Sequence, residues 1–251
     1  MIFSVSWRNV WRNKVRSLVV ISAIAIGIFA GVWATAFMTG MMNQRIQKVI
    51  NTELSNIQIH NPDFRKTSEF SNFIPDANKY VQEIKTIPQV KGVSNRIVIQ
   101  SMVASAETAS GVIITGINTE DEPSVTNIHE KIIDGAYFEG IKRNPVLIGK
   151  KLAEKLNVKV RSKIVITVQD LDNDITSGAF RVAGIFSTNN NMFDESHIFV
   201  RYADLAALTR LPENAGHEIA ISLTDNEFLL GVQDEVKSLM EWREDPANWG
   251  K

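Results

Sequence analysis

An uncharged and mainly apolar run extends from Ser17 to Gln44, with the sequence SLVVISAIAIGIFAGVWATAFMTGMMNQ. About 20 apolar residues are enough to cross a bilayer core roughly 30 Å thick, and this run is longer. A helix buried in a water-soluble protein keeps a polar face, whereas this run shows none before Asn43. The pattern therefore predicts a transmembrane helix.

Small residues recur at every fourth position inside the predicted span, and Gly27 and Gly31 form a literal GxxxG. Side chains of this size allow a second helix to approach closely in lipid. The spacing predicts a helix-packing face, which consists of Ala23, Gly27, Gly31 and Thr35 and continues to Thr39.

The helical apolar period continues beyond the span in Met42, Ile46, Val49 and Ile50, which are surrounded by polar residues. A helix that starts with the apolar run and ends at Asn51 would be roughly 50 Å long, at 1.5 Å per residue. Its last part would project from the bilayer as a stalk. Such a stalk can transmit movement, or it can serve as a passive tether.

The first 16 residues hold four basic side chains and no acidic one. At helical spacing Trp7 and Trp11 share one face, and Arg8 and Arg12 lie on a neighbouring stripe. An aromatic face beside basic residues suits a helix at the membrane interface. The basic excess predicts a cytoplasmic N-terminus and an external location for everything after the span.

A secretory signal peptide is the alternative interpretation of this N-terminal region. It also combines a basic start and an apolar stretch, and Ala34-Thr35-Ala36 would be its cleavage site. The apolar run continues past that site through Phe37 and Met42, however, which favours a retained span. Cleavage would make the chain a secreted binding module.

From Ser55 onward, apolar and polar residues alternate in the mixed manner of a folded α+β domain. About two hundred residues are enough to form a separate core. Strands are predicted at 56–60, 163–170, 178–188 and 217–223, two strands within 93–117, helices at 75–88 and 226–240, and a strand followed by a helix at 146–158 and at 197–211.

Composition narrows the functional classes. The net charge of −1 does not indicate a nucleic-acid partner, and the lack of cysteine excludes disulfides. No Ser/His/Asp or Cys/His arrangement stands out. Gly149-Lys150 lacks the remainder of a phosphate-binding loop. The sequence therefore predicts no enzyme, with no catalytic residue, metal ligand or cofactor.

Three polar features of the external domain have ordinary interpretations. The acidic stretch 170–174 predicts a hairpin turn rather than a calcium loop, because its Gly is misplaced and no Glu closes it. The stretch 189–194, NNNMFD, predicts a polar loop with an exposed Met and Phe, whose role is a partner contact or only a turn. Four histidines without metal-ligand spacing are expected at the surface or at strand edges: His60, His129, His197 and His217.

The opening SWRNVWRNKVRSLVVISAIAIGI resembles the start of ABC-transporter permease subunits of the MacB/LolC/LolE/FtsX type, which commonly carry an R-N-x-x-R-N-K-x-R-[ST] segment before the first span. Later segments resemble that family's periplasmic core domain in the expected order: SNIQIHNPDF, GVIITGIN, IIDGAYF, PVLIGKKLAEKLNVKV and FRVAGIFST. The similarity covers nearly the whole chain and is greatest to the lipoprotein-releasing LolC/LolE branch. The opening matches the motif at Arg8, Asn9, Arg12, Asn13, Lys14, Arg16 and Ser17.

The resemblance implies the domain organisation of such a subunit. Its expected parts are a cytoplasmic interfacial helix at 1–16, the transmembrane helix and periplasmic stalk at 17–52, an α/β periplasmic subdomain at 53–117 and 201–240, a β-rich inserted subdomain at 118–200, and a tail at 241–251. The residues expected to contact the ATPase or the membrane interface are Trp7, Arg8, Asn9, Trp11, Arg12, Asn13, Lys14 and Arg16.

The resemblance also implies a function. A permease subunit of this type lies in the bacterial inner membrane with its main domain in the periplasm. It pairs with a second copy or a paralogue, and a separate ATPase subunit hydrolyses ATP. The resulting movement releases or extrudes a lipoprotein or another hydrophobic substrate. The expected partners are therefore the ATPase, a second permease, membrane lipid and this substrate.

This sequence departs from the family pattern in two ways. Family members carry three further spans after the periplasmic domain, whereas this sequence stops at MEWREDPANWGK, so we expect the N-terminal part of a permease. Arg161-Ser162 occupies a turn where the family usually has Gly-Asp. A second class of function stays open, in which an FtsX-like or single-span protein signals or acts as a scaffold through a periplasmic binding domain without transport.

Overall fold

The chain folds into two units, Met1–Lys48 and Val49–Lys251. This computed structural model describes residues 7, 12–52, 54–67 and 69–240. Most of the predicted interfacial helix at 1–16 and the tail at 241–251 therefore lie outside the described residues.

One helix, α1, accounts for nearly all of the described part of the first unit, and it runs from Lys14 to Thr52 over 39 residues. Leu18, the methionines and the alanines favour a helix here, and the segment contains no proline that would break it. The side chains from Leu18 to Gln47 are exposed. The segment Lys14–Gln47, with a mean hydropathy of 2.3 in its most apolar window, is long and apolar enough to cross a membrane.

The second unit is a mixed α/β domain. Its strands are β1 Ile57–His60, β2 Val90–Ala104, β3 Ala109–Ile117, β4 Ile132–Gly135, β5 Pro145–Gly149, β6 Lys163–Gln169, β7 Ile175–Phe186, β8 His197–Arg201 and β9 Glu218–Leu223. Its helices are α2 Phe64–Thr67, α3 Ala77–Ile84, α4 Glu122–Val125, α5 Lys150–Leu156, α6 Asn191–Ser196, α7 Tyr202–Thr209 and α8 Leu229–Leu239, with 3-10 turns at Ile128–Lys131 and Asn226–Phe228. The predicted α+β class is confirmed.

Six of the strands close into a ring in the order β2, β3, β8, β5, β7, β6 and back to β2. The β3–β8 and β5–β7 pairs are parallel and the other four pairs are antiparallel. The ring closes where Met102–Ala104 of β2 pairs with β6. The first half of β2 pairs instead with β9, which carries β1 on its other edge, and β4 extends the sheet from β7.

Three apolar clusters form the core. The first fills the ring with alternate residues of all six strands, such as Ile97, Ile114 and Ile166, and it is closed by α5 and α7. The second packs α3 and α8 against β1 and β9. The third lies on the opposite face of β5 and β8, where Phe186, Phe193 and Phe199 meet.

The structure differs from the predicted pattern at 189–194. These residues lead into α6, whose N-cap Asn190 accepts hydrogen bonds from the backbone N–H groups of Met192 and Phe193. The prediction of an exposed loop is wrong for Phe193, which is buried in the third cluster, and correct for the exposure of Met192. Asn190, one of the residues that suggested a loop, supplies the cap of this short helix.

Both predicted subdomains contribute strands to the same sheet. From the segment 118–200, β8 pairs with β3 and β6 pairs with β2, while both partner strands lie within 53–117. The expected boundary after residue 117 coincides with the last residue of β3. The division into 53–117 with 201–240 and 118–200 stays a prediction.

Candidate functional site

The N-terminal contact residues are only partly described. Trp7, Arg12, Asn13, Lys14 and Arg16 are exposed. The predicted contacts at Arg8, Asn9 and Trp11 lie outside the described residues. Their proposed role at an ATPase or a membrane interface stays a prediction.

The predicted packing face lies on the exposed surface of α1. A Cβ atom added at Gly27 or Gly31 would meet nothing within 4 Å. Thr35 donates its hydroxyl to the carbonyl of Gly31 at 2.9 Å, and Thr39 donates to Thr35 in the same way. These bonds satisfy both hydroxyls within the helix, so neither threonine presents an unpaired hydroxyl donor on this exposed face.

The predicted stalk residues lie on the C-terminal part of α1. Met42 and Ile46 are exposed, whereas Val49 and Ile50 are half-buried. The change coincides with the start of the second unit at Val49. A stalk role stays a prediction for all four.

The chain leaving α1 meets a buried charged cluster that consists of Arg96, Glu122 and Glu218. Nη2 of Arg96 lies 2.6 Å from Oε1 of Glu122, and Nη1 lies 2.6 Å from Oε1 of Glu218. The three residues are 4%, 0% and 7% exposed. We call this set the Arg96 cluster.

The Arg96 cluster also holds the main chain that follows α1. Nη1 of Arg96 donates to the carbonyl oxygen of Leu54 at 3.2 Å. Thr126 donates its hydroxyl to Glu122 at 2.8 Å, so this buried carboxylate has a second partner. Burial alone would lower the pKa of Arg96, but Glu122 and Glu218 raise it by more than burial lowers it. The guanidinium therefore stays charged.

Local sequence and sheet register place these side chains together. Arg96 of β2 is directly paired with Glu218 of β9, and α4 carries Glu122 onto the same face of β2. The helix α4 approaches β2 closely, because a Cβ atom at Gly92 would collide with Ser124. A glycine at that position therefore allows Glu122 to reach Arg96.

Sequence reasoning missed this cluster. An arginine inside the apolar strand SNRIVIQ and a glutamate inside HEIAISL were available signals, since charges in buried strands need partners. Which partner each takes depends on the pairing of β2 with β9, and the local pattern does not show this pairing.

Two histidines lie beside the cluster. Nε2 of His60 is 3.6 Å from Oε2 of Glu218, and its ring stacks on Phe64 at 5.9 Å. His217 is fully buried, so the predicted surface or edge position is wrong for it. The pKa of His217 is lowered to about 4, chiefly by burial and also by the nearby His60, while the hydrogen bond to the carbonyl of Phe70 opposes this shift.

The acidic stretch 170–174 is a hairpin turn, as predicted. Oδ1 of Asp170 accepts hydrogen bonds from the backbone N–H groups of Asp172 and Asp174, each at 3.0 Å. Arg210 lies 2.8 Å from Asp172 and 3.6 Å from Asp170. Within the described part of the chain, no group of three or more His, Asp or Glu side chains could hold a metal ion.

Comparison with known proteins identifies the family. Residues 17–239 match the family described as the MacB-like periplasmic core domain. The chain belongs to this family. The match begins within α1 and ends at the last residue of α8, so the resemblance noted from the sequence is confirmed.

A curated relative is the lipoprotein-releasing system transmembrane protein LolC of Buchnera aphidicola subsp. Schizaphis graminum. It is 26% identical over 168 residues, which are 64% of this chain and 40% of that protein. The chain therefore spans less than half of the relative's length.

Two solved structures share the fold of the family domain. The extracellular domain of the noncanonic ABC-type transporter YknZ from Gram-positive bacteria has a TM-score of 0.53 and 17% identity, over 74% of this chain and 92% of that one. The periplasmic region of MacB from Actinobacillus actinomycetemcomitans has a TM-score of 0.51 and 10% identity, over 75% and 84%. At this identity the likeness shows the fold alone.

Proposed function

We propose that this chain is the N-terminal part of an ABC-transporter permease subunit. The observation that carries the proposal is the family match over residues 17–239, which covers the candidate span from Ser17 onward and nearly all of the α/β domain. The LolC relative, which its name places in a lipoprotein-releasing system, supports the same class.

In this proposal the chain performs no catalysis itself. A separate ATPase subunit hydrolyses ATP on the cytoplasmic side, near the basic residues from Arg12 to Arg16. The α/β domain lies in the periplasm and releases or extrudes a lipoprotein or another hydrophobic substrate. The exposed face at Gly27 and Gly31 packs against another transmembrane helix, from a second permease copy or a paralogue.

Topology is the first test, and the absence of cysteine makes it direct. Arg12→Cys and Lys79→Cys each introduce a single thiol at an exposed position. In spheroplasts a membrane-impermeant maleimide should label Lys79→Cys, and it should label Arg12→Cys only after lysis. Labelling of both thiols in intact spheroplasts, or release of a shortened chain lacking the span, would overturn the proposal.

ATPase engagement is the second test. A photo-crosslinking amino acid at Arg12 or Arg16 should capture an ATP-binding subunit in membranes, and one at Lys79 should not. Depletion of the chain should then cause a lipid-linked or hydrophobic substrate to accumulate in the membrane. Capture of an ATPase without any such accumulation would instead favour an FtsX-like signalling role.

A further inference from the structure

The described part of the segment between α1 and β1 is anchored on both sides of Leu54. Thr52 donates its hydroxyl to Oδ1 of Asn127 at 2.9 Å, and the backbone N–H of Asn56 donates to the carbonyl of Ile221 at 3.0 Å. Between them lies Leu54, whose side chain is exposed and whose carbonyl is held by Arg96. Arg96 therefore ties the main chain at Leu54 to the sheet, and two residues later the Asn56 side chain accepts a hydrogen bond from the backbone N–H of Leu223 in β9.

Stability does not explain why the Arg96 cluster exists. Burying charges is costly, and well-packed apolar residues of similar volume are often as stable as a buried ion pair or more so. One guanidinium here faces two carboxylates, which adds repulsion between the carboxylates. The cluster's distinctive property is its geometry, since a planar fork reaches Glu122, Glu218 and the Leu54 carbonyl at the same time.

The three acceptors belong to three different parts of the domain. Glu122 lies on α4, Glu218 on β9, and Leu54 on the chain leaving α1, while Arg96 itself lies on β2. We propose that Arg96 is a positioning residue that fixes the chain leaving α1 to β2 and β9, so that a movement of this segment reaches the sheet. Its part in coupling rests on the proposed permease function, whereas its local anchoring role does not.

Hydrogen exchange on the full chain in nanodiscs tests the anchoring role. The Arg96→Lys variant keeps the charge but loses the planar fork, so it cannot hold three acceptors in the same geometry. The Arg96→Met, Glu122→Gln, Glu218→Gln triple variant removes all three charges together. In both variants the amides of Leu54 and Asn56 should exchange about tenfold faster or more, while the global unfolding midpoint changes little.

Arg201→Lys is the matched control. Arg201 also donates to a carboxylate, Asp204, and to one main-chain carbonyl, that of Lys142. It lies at the end of β8, far along the sheet from β1. Exchange at Leu54 and Asn56 should be unchanged in this variant.

Unchanged exchange in the Arg96→Lys and triple variants would overturn the proposal. Unfolding of both variants would also overturn it, because Arg96 would then be a general requirement for folding. In a complex that contains the triple variant, the separate ATPase subunit should still hydrolyse ATP, but less substrate should be released per ATP. If exchange is faster in the variants but the chain engages no ATPase, the anchoring role of Arg96 is supported and the permease function is refuted. If exchange is unchanged but the chain does engage an ATPase, the permease function is supported and the anchoring role is refuted.

Discussion

Arg96 and Glu218 are direct neighbours in the β2–β9 register, and 2.6 Å separates their charged atoms in the interior of the domain. Arg96 also contacts Glu122, so loss of the cation leaves two buried carboxylates without compensation. Loss of Glu218 instead leaves one cation with one carboxylate. The two partners are therefore unequal in their effect on stability.

Arg96→Met should lower the free energy of unfolding by about 3–5 kcal/mol, the usual effect of breaking a buried ion pair from one side. Glu218→Gln should lower it much less, because the remaining pair is neutral and the amide still accepts from Arg96. Equilibrium denaturation of both variants checks the order. Equal losses would mean that charge compensation does not govern this cluster.

The buried His217 should make the domain less stable in acid. The pKa of His217 is about 4 in the folded chain, whereas an unfolded chain has the ordinary histidine value of 6.5. Between these two pH values the unfolded chain therefore binds a proton at His217 that the folded chain does not. Stability should fall as the pH decreases from about 6.5 to about 4, by roughly 3 kcal/mol at most, and this contribution should be constant above that window.

Unfolding midpoints between pH 4 and pH 8 measure this effect. The His217→Phe variant, which retains the aromatic contact with Phe64 and Phe70, should show a shallower acid slope. His129→Gln is the control, since the His129 side chain is partly exposed. An acid slope that persists unchanged in His217→Phe would show that other groups cause it.

Arg161→Gly should stabilise the domain. Arg161 has a φ of 71°, a left-handed conformation that disfavours residues with a Cβ atom by roughly 1–2 kcal/mol. Glycine relieves this strain but loses more backbone entropy, so the expected net gain is about 0.5–1 kcal/mol. The backbone bond from Arg161 to the carbonyl of Val182 stays available.

Thermal unfolding tests the Arg161 prediction. Lys163→Gly, two residues later in the exposed face of β6, should destabilise because glycine weakens a strand. A destabilising effect of both substitutions would show that the Arg161 side chain contributes more than its backbone strain removes.

Gly27→Leu combined with Gly31→Leu should weaken the association of α1 with partner helices. Leucine side chains would fill the surface that now admits close approach, since nothing lies within 4 Å of either glycine. Co-purification of differently tagged copies from membranes is the measurement. Gly40→Leu makes the same kind of substitution outside the predicted packing face. Loss of association in the Gly40→Leu variant as well would contradict a specific packing face.

Local patterns predict the elements of this protein well. The uncharged run from Ser17 gives α1, and alternation gives most strands of the domain, because burial on one face leaves a period in the sequence. Asn157, which follows α5, has the left-handed conformation typical of a helix end. These features depend on neighbours within a few residues.

The Arg96 cluster and the closed ring depend on contacts that the local pattern does not carry. Arg96 meets partners 26 and 122 residues away, and β6 reaches β2 across more than 60 residues. His217 belongs to the same class, since its burial follows from Phe64 and Phe70 lying against it. Spacing along the chain cannot specify such a meeting of distant side chains.

The strand β2 is the one described strand that pairs both with the ring and with β9. Its first half bonds to β9 and its second half to β3 and β6. The β1–β9 pair therefore cannot separate from β2 without disturbing the strand that closes the ring. We expect the α/β domain to melt as one cooperative transition, with equal calorimetric and van't Hoff enthalpies, although its strands come from widely separated parts of the chain.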